Sequence, residues 1–173
     1  MSYKSLNLLL LSLFILAACG GGGGGTAAST TPANSCSPST TNLCITVAGG
    51  KFVVQNTSST GVSQKTLTLN AGTYTFDQTN SSNVTPAGAY GTARIHQIAF
   101  STTSDGTHDS GSAYTTGVTT SGSPGSTGKT TIVVNSSTPS TLYYYCQNHS
   151  GMGGTINIVI GNQSSQVEFT ETN

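Results

Sequence analysis

Short runs in which apolar and polar residues alternate recur along the chain from residue 43 to residue 160. Leu67 and Leu69 alternate with threonines, and Tyr74 and Phe76 do the same a few residues later. A period of two predicts β-strands with one buried face. The candidate strands are residues 43–48, 51–55, 65–70, 73–77, 93–101, 129–134, 142–146 and 155–160.

The segments between these runs are rich in Gly, Asn and Ser, the residues that favour turns. About eight short strands at this spacing predict an all-β fold, a β-sandwich of Greek-key type. No stretch has the apolar period of an amphipathic helix. Residues 104–128 are too many for a tight hairpin, so we expect an excursion with one short strand near Tyr114.

Length and charge narrow the possible functions. The chain has 173 residues, which suits one domain of ordinary size. Its formal net charge is zero and only 6% of its residues are charged. A basic surface for nucleic acid is therefore not expected. Ser, Thr, Asn and Gly must keep the protein in solution, and we expect a monomer.

The N-terminus has the pattern of an export signal. Lys4 precedes an apolar run over residues 8–16, which is too short for a transmembrane helix. The run ends in Leu-Ala-Ala-Cys, with the cysteine at position 19, and resembles the lipobox of bacterial lipoproteins. This resemblance implies a signal peptide over residues 1–18 and lipidation of Cys19. The alternative is an ordinary signal peptide with a chance cysteine.

A flexible tether is predicted to follow the anchor. Six consecutive glycines, Gly20 to Gly25, open a polar stretch that continues to residue 35. Such a sequence gives reach and forms no fixed structure. We therefore expect a disordered linker over residues 19–35, a β-sandwich over 36–162 and a C-terminal tail over 163–173. The protein would be periplasmic or at the cell surface, attached to a membrane through its lipid.

The four cysteines have separable roles. Cys19 belongs to the lipobox, while Cys36 and Cys44 flank a short Ser/Pro/Thr/Asn loop and are predicted to form a disulfide in an oxidising compartment. Cys146 is then the remaining thiol. Metal ligation is one interpretation, and a buried structural cysteine is the other.

Cys146 has two potential metal ligands beside it. Cys146, His149 and Met152 lie within seven residues, where a predicted strand runs into a turn. Thiolate, imidazole and thioether groups are the soft and borderline ligands that copper prefers. A second imidazole would complete a copper site, and the chain has only three histidines.

His96 is the best candidate for the second imidazole. In the strand predicted over residues 93–101, alternation places His96 on the same face as Ile98 and Phe100, directed at the core. Standing alone, His96 would be interpreted as a buried core histidine. His108 lies in a loop beside Asp109, and we expect a solvated side chain there rather than a catalytic one.

The neighbourhood of the two candidate histidines resembles a known family. The segments IHQIAF (95–100) and YCQNHSGMGG (145–154) are similar to the cupredoxins, the blue-copper proteins. The C-x-x-H-x-x-M spacing is that of their short-loop members, such as amicyanin and plastocyanin. The resemblance covers residues 43–161.

Membership would imply one type 1 copper held by His96, Cys146 and His149 in a trigonal plane, with Met152 as a weak axial ligand. It would further imply transfer of single electrons to a redox protein partner and no enzymatic activity. His149, in the loop, would be the more exposed ligand.

The sequence also departs from the family pattern. Gln97 stands where cupredoxins usually have an asparagine that bonds across the site. The segments HQIAFSTTSDGTH (96–108) and LYYYCQNHSGMGG (142–154) also resemble cupredoxin-like domains of marine bacterial and phage proteins. Two alternatives follow, namely a copper chaperone or store with the same ligands, and a metal-free surface or adhesion module. Tyr145 is predicted to be either a surface aromatic or part of a partner-facing patch.

Overall fold

The computed structural model describes residues 36–57, 60–87 and 91–161. The predicted signal peptide (1–18), the lipidation site Cys19, the linker (19–35) and the tail (163–173) lie outside the described residues. In the part that is described, no helix has the length and apolar character needed to cross a membrane.

Strands dominate the described residues, and two short 3₁₀ helices, Ser81–Asn83 and Gly106–Asp109, interrupt them. The strands are β1 (Asn42–Ala48), β2 (Lys51–Gln55), β3 (Val62–Ser63), β4 (Leu67–Leu69), β5 (Gly72–Asp77), β6 (Val84–Thr85), β7 (Arg94–Ile95), β8 (Ile98–Ser101), β9 (Ala113–Tyr114), β10 (Val118–Ser121), β11 (Lys129–Val134), β12 (Thr141–Cys146) and β13 (Gly154–Ile158). Every predicted strand overlaps an observed one, and β9 lies where a short strand near Tyr114 was expected.

The strands form two main sheets. The first has the order β10-β11-β5-β1-β2-β3, and the second has the order β4-β13-β12-β8-β9. Strands β6 and β7 form a separate two-stranded ribbon. Most neighbours are antiparallel, but β1 pairs with β5 and β13 pairs with β4 in parallel. The all-β sandwich predicted from the alternating pattern is confirmed.

One apolar core lies between the sheets, built from the inward positions of the alternating strands. Phe76 of β5 meets Phe100 of β8 edge to face, with ring centroids 5.0 Å apart. The ring of Tyr144 from β12 packs on Phe76 and Phe52, at 6.2 and 6.5 Å. All four side chains are fully buried. Aromatic pairs of this kind contribute more than their buried area alone.

The pairing of β8 with β12 brings two distant chain segments to one end of the sandwich. In this antiparallel pair Cys146, the last residue of β12, lies opposite Ile98, the first residue of β8. The residues just before β8 and just after β12 therefore meet at the same edge. These segments contain the candidate ligands His96 and His149, which are 53 positions apart in the chain.

The long strand predicted over residues 93–101 is interrupted. His96 and Gln97 lie between β7 and β8 and belong to neither strand. The backbone N–H of His96 donates to the carbonyl of Asn83, 2.9 Å away, instead of to a sheet neighbour. His96 is nevertheless buried, as the alternating pattern predicted.

The predicted disulfide between Cys36 and Cys44 is present, with the two Cα atoms 5.7 Å apart. Cys44 belongs to β1, so the bond ties the start of the described chain to the centre of the first sheet. Cys146 is the free cysteine of the described residues, and it is buried. The assignment of these three cysteines from the sequence is confirmed.

Replacing Cys36 and Cys44 together with serine is expected to lower the free energy of unfolding by about 2 kcal/mol, because the bond closes only a short loop and restricts the unfolded chain modestly. Urea denaturation of the metal-free protein measures this change. The single variant Cys146→Ser is the control for loss of a thiol outside the disulfide. An unchanged unfolding midpoint in the double variant would contradict the expectation.

Candidate metal centre

Three potential metal ligands converge at the end of the sandwich. The ligand atoms of His96, Cys146 and His149 all lie within 4.8 Å of one another. The Sγ of Cys146 is 3.9 Å from Nδ1 of His96 and 3.5 Å from Nδ1 of His149. The two imidazole rings are tilted by 45°, with centroids 4.7 Å apart. The structure thus brings together three of the four ligands predicted from the sequence.

These spacings fit one ion bound between the three groups. A nitrogen and a sulfur ligand at usual bond lengths, with an angle of about 110–120° at the ion, lie roughly 3.5–3.8 Å apart. The Cys146–His149 distance of 3.5 Å lies within this range, and the Cys146–His96 distance of 3.9 Å is slightly longer. One thiolate and two imidazoles suit copper or zinc, and this set with a weak axial thioether is characteristic of blue copper.

Met152, the fourth predicted ligand, is buried with 2% of its surface exposed. Together with His96, His149 and Arg94 it lines an open cavity of about 540 Å³. Its backbone carbonyl accepts a hydrogen bond from the N–H of Phe52 in β2, at 2.9 Å. Met152 is therefore tied to the first sheet, while Cys146 belongs to the second.

Burial favours the neutral forms of the two inner ligands. It lowers the pKa of His96, and the nearby His149 and Arg94 lower it further. Burial also raises the pKa of the Cys146 thiol, although the backbone N–H groups of Asn148 and His149 act in the opposite direction. The imidazole of His96 is thus ready to bind a metal, whereas a metal must displace the proton of Cys146.

Access to the site is unequal among the ligands. Cys146 is completely buried and His96 is 6% exposed. His149 is only half-buried and lies on the loop that follows β12. An electron or a small ligand that reaches the site from solvent therefore meets His149 first.

A buried glutamine holds the backbone around His96. The amide Nε2 of Gln78 donates to the carbonyl of His96 and, at 3.2 Å, to Oδ1 of Asn83. Its Oε1 accepts from the N–H of Ile98 at 3.0 Å. Gln78 therefore satisfies two backbone groups at the break between β7 and β8, namely the carbonyl of His96 and the N–H of Ile98. The ring of His96 is held separately, with Nε2 3.2 Å from Oγ1 of Thr85.

Gln97 does not bond across the site through its side chain. Its Nε2 donates to Oγ1 of Thr130 at 2.7 Å and to Oε1 of Gln78 at 3.1 Å. The link across the site is made by its backbone carbonyl, which accepts from the N–H of Gln147 at 2.9 Å. The two ligand-bearing segments are therefore joined directly, one residue after each of His96 and Cys146.

Replacing Gln78 with leucine is expected to lower the free energy of unfolding by about 3 kcal/mol, because it leaves several buried polar groups without partners. The metal-free protein, unfolded in urea, supplies the measurement. Leucine at Gln147, an exposed glutamine, is the matched control and should change stability little. Equal effects of the two substitutions would show that the buried amide is not a structural support.

The loop between His149 and β13 is held from the first sheet as well. The ammonium of Lys51 donates to the carbonyl of Gly151. The amide of Gln64 donates to the carbonyls of Gly151, at 3.1 Å, and of Gly153, at 2.8 Å. Gln64 has a φ of 47°, an uncommon conformation for a residue other than glycine. Such local strain is characteristic of functional sites.

One sequence-based expectation near the site is wrong, and another missed a contact. Tyr145 is 1% exposed and forms no surface patch, because residues of the long 104–128 excursion cover it. His108 is exposed, yet its Nε2 lies 2.9 Å from the carbonyl oxygen of Cys146. Nothing in the local pattern around His108 indicates this contact, because it joins residues 38 positions apart. Gln78 was also missed, since a lone glutamine in a polar stretch carries no signal of burial.

No protein-family model matches this chain, and a search of curated proteins finds no match either.

Proposed function

We propose that this chain is an exported copper protein of the cupredoxin type that carries single electrons. One observation carries the proposal: a buried thiol and two imidazoles lie at the mutual distances that a single bound ion requires. His96, Cys146 and His149 would hold one type 1 copper, and Met152 would be the weak axial ligand. The copper would supply the one-electron chemistry.

The sheet order supports the cupredoxin assignment. The chain passes from β5 in the first sheet to β8 in the second, and then returns through β10 and β11 to pair β11 beside β5. The following strand β12 inserts between β8 and β13. Such crossings between two sheets are what a Greek-key sandwich requires. The pairing of β8 with β12 brings the segments that contain His96 and Cys146 together, which also supports the assignment.

The roles of the four residues follow from their chemistry and burial. The thiolate of Cys146 and the imidazole of His96 would bind the metal strongly from inside the protein. His149 would complete the plane and, as the most exposed ligand, would pass the electron to a redox protein partner. The thioether of Met152 would adjust the reduction potential. None of these roles transforms a substrate, so no enzymatic activity is proposed.

Copper titration of the purified protein, followed by visible absorption, tests the proposal. An electron carrier is expected to bind one copper per chain and to turn blue when oxidised. A copper store would bind the metal without an intense blue colour. Failure to bind copper would contradict the proposal and favour a metal-free surface module.

We propose further that the protein is anchored to a membrane through lipid on Cys19 and faces the periplasm or the cell exterior. The lipobox-like sequence before Cys19 and the glycine-rich stretch after it support this localisation. Replacing Cys19 with alanine is expected to move the protein from the membrane fraction to the soluble fraction, because the acylation site is lost. Unchanged fractionation would contradict the lipid anchor.

A further inference from the structure

The loop formed by residues 104–111 packs against the back of the candidate metal centre. It contains the second 3₁₀ helix, Gly106–Asp109, with Asp105 before the helix and Ser110 after it, both in the left-handed conformation. Among the described residues, these two and Gln64 are the non-glycine residues with positive φ. Local strain of this kind persists only where the surroundings enforce it.

His108 bonds directly to the backbone of the thiol ligand. Its Nε2 lies 2.9 Å from the carbonyl oxygen of Cys146. Because a carbonyl oxygen only accepts, Nε2 must carry the hydrogen and donate it. The His108 ring also stands edge-on to Tyr145, with centroids 6.1 Å apart and planes at 84°. The side chain thus restrains the peptide at the end of β12. The loop of residues 147–153, which contains His149 and Met152 and is called the ligand loop below, begins there.

Asp105 bonds to the other end of the ligand loop. Both of its carboxylate oxygens accept from the N–H of Gly151, at 2.8 and 2.9 Å. The carbonyl of Gly151 is bound on the opposite side by Lys51 and Gln64. The peptide between Ser150 and Gly151 is therefore fixed at its N–H by a charge-assisted hydrogen bond, and the peptide between Gly151 and Met152 is fixed at its carbonyl.

Close packing holds the 104–111 loop in this position. Gly106 has a φ of 56°, and a Cβ there would overlap the ring of Tyr145. The N–H of Gly111 donates to the carbonyl of Gly106 at 2.9 Å and closes the loop. The loop therefore rests on Tyr145, the buried aromatic that precedes Cys146.

We propose that the 104–111 loop is a positioning element for the ligand loop, in which His108 orients Cys146 and Asp105 orients the Ser150–Gly151 peptide, one residue before Met152. Neither residue touches the metal position, so both act through the ligands. Outer partners of this kind set the direction of a ligand and are needed for full metal affinity. The expected effect on copper affinity rests on the proposed function. The expected effect on the hydrogen bonds of the ligand loop does not, because it is measured in the metal-free protein.

Two substitutions at His108 separate hydrogen bonding from packing. His108→Phe keeps an aromatic ring against Tyr145 but cannot donate, and His108→Gln keeps a side-chain N–H of similar reach. We expect His108→Phe to weaken copper binding about tenfold, at the lower end of the usual effect of an outer partner, and to shift the visible charge-transfer band. His108→Gln should restore both affinity and band. Equal behaviour of the two variants, or wild-type behaviour of His108→Phe, would overturn the role of His108.

The role of Asp105 is tested in the metal-free protein by amide hydrogen exchange at Gly151. Asp105→Gly removes the carboxylate but accepts the positive φ, so the backbone is not forced to change. We expect exchange at Gly151 to accelerate about tenfold or more, because a hydrogen bond to a charged group is lost. Asp109→Ala is the matched control. It removes an exposed carboxylate from the same loop and should leave the exchange rate at Gly151 unchanged.

The copper-binding experiment and the hydrogen-exchange experiment together distinguish failure of the positioning role from failure of the proposed function. If the wild-type protein binds no copper, the proposed function fails, and exchange at Gly151 still decides whether Asp105 positions the ligand loop. If copper binds normally but Asp105→Gly leaves the Gly151 exchange rate unchanged, the positioning proposal is overturned while the electron-carrier proposal stands.

Discussion

Replacing Cys146 with serine is expected to abolish the intense visible band that the proposed copper site would give. This is the expected result because the colour of a blue-copper site comes from the covalent bond between copper and a thiolate, which a hydroxyl cannot replace. Cys146 is fully buried, and serine is nearly the same size, so the fold should persist. Copper titration monitored by visible absorption measures the effect, and circular dichroism verifies the fold.

Two further variants serve as controls for the loss of Cys146. Met152→Leu should retain copper and colour while the reduction potential rises, because the thioether is only a weak axial ligand. His149→Gly should open the site to added imidazole, since His149 is the most accessible ligand. An unaltered spectrum in Cys146→Ser would refute the copper assignment, and a structural module would then be the better account.

Replacing Gly153 with alanine is expected to lower the free energy of unfolding by about 3 kcal/mol, at the upper end of the usual cost of overpacking. A Cβ at Gly153 would overlap the carbonyl oxygen of Tyr144 and come within 2.8 Å of the Cα of Tyr145. These backbone atoms belong to β12, which is paired on both sides and cannot move freely. The added methyl group must therefore displace the ligand loop, including the neighbouring Met152.

Urea denaturation of the metal-free protein measures the loss of stability in Gly153→Ala. The copper-loaded variant should also show an altered reduction potential, because the position of Met152 changes. Gly161→Ala is the matched control, since a Cβ at Gly161 meets nothing within 4 Å. Wild-type stability of Gly153→Ala would mean that β12 and the ligand loop separate more easily than their packing indicates.

Much of the fold follows from local pattern alone. Alternation in segments such as residues 67–69 and 73–77 predicts buried faces correctly, because side chains of a strand point alternately to the two sides of the sheet. The disulfide between Cys36 and Cys44 was predicted from their short separation. The cluster of Cys146, His149 and Met152 was visible as well, since all three lie within seven residues of the chain.

Contacts between distant segments were decided by the tertiary structure. Pairing of β8 with β12 places His96 beside Cys146, whereas the sequence indicated His96 only through its core-facing position, the small number of histidines and the family resemblance. The predicted strand is interrupted at His96 because Gln78 and Asn83 form hydrogen bonds with the backbone of His96. These two residues precede His96 by 18 and 13 positions. The roles of Asp105 and His108 likewise depend on a loop folding back over Tyr145. The period of the apolar residues shows which side of a strand is buried. A hydrogen bond between polar groups far apart in the chain depends instead on how the sheets and loops pack, which no short stretch of sequence specifies.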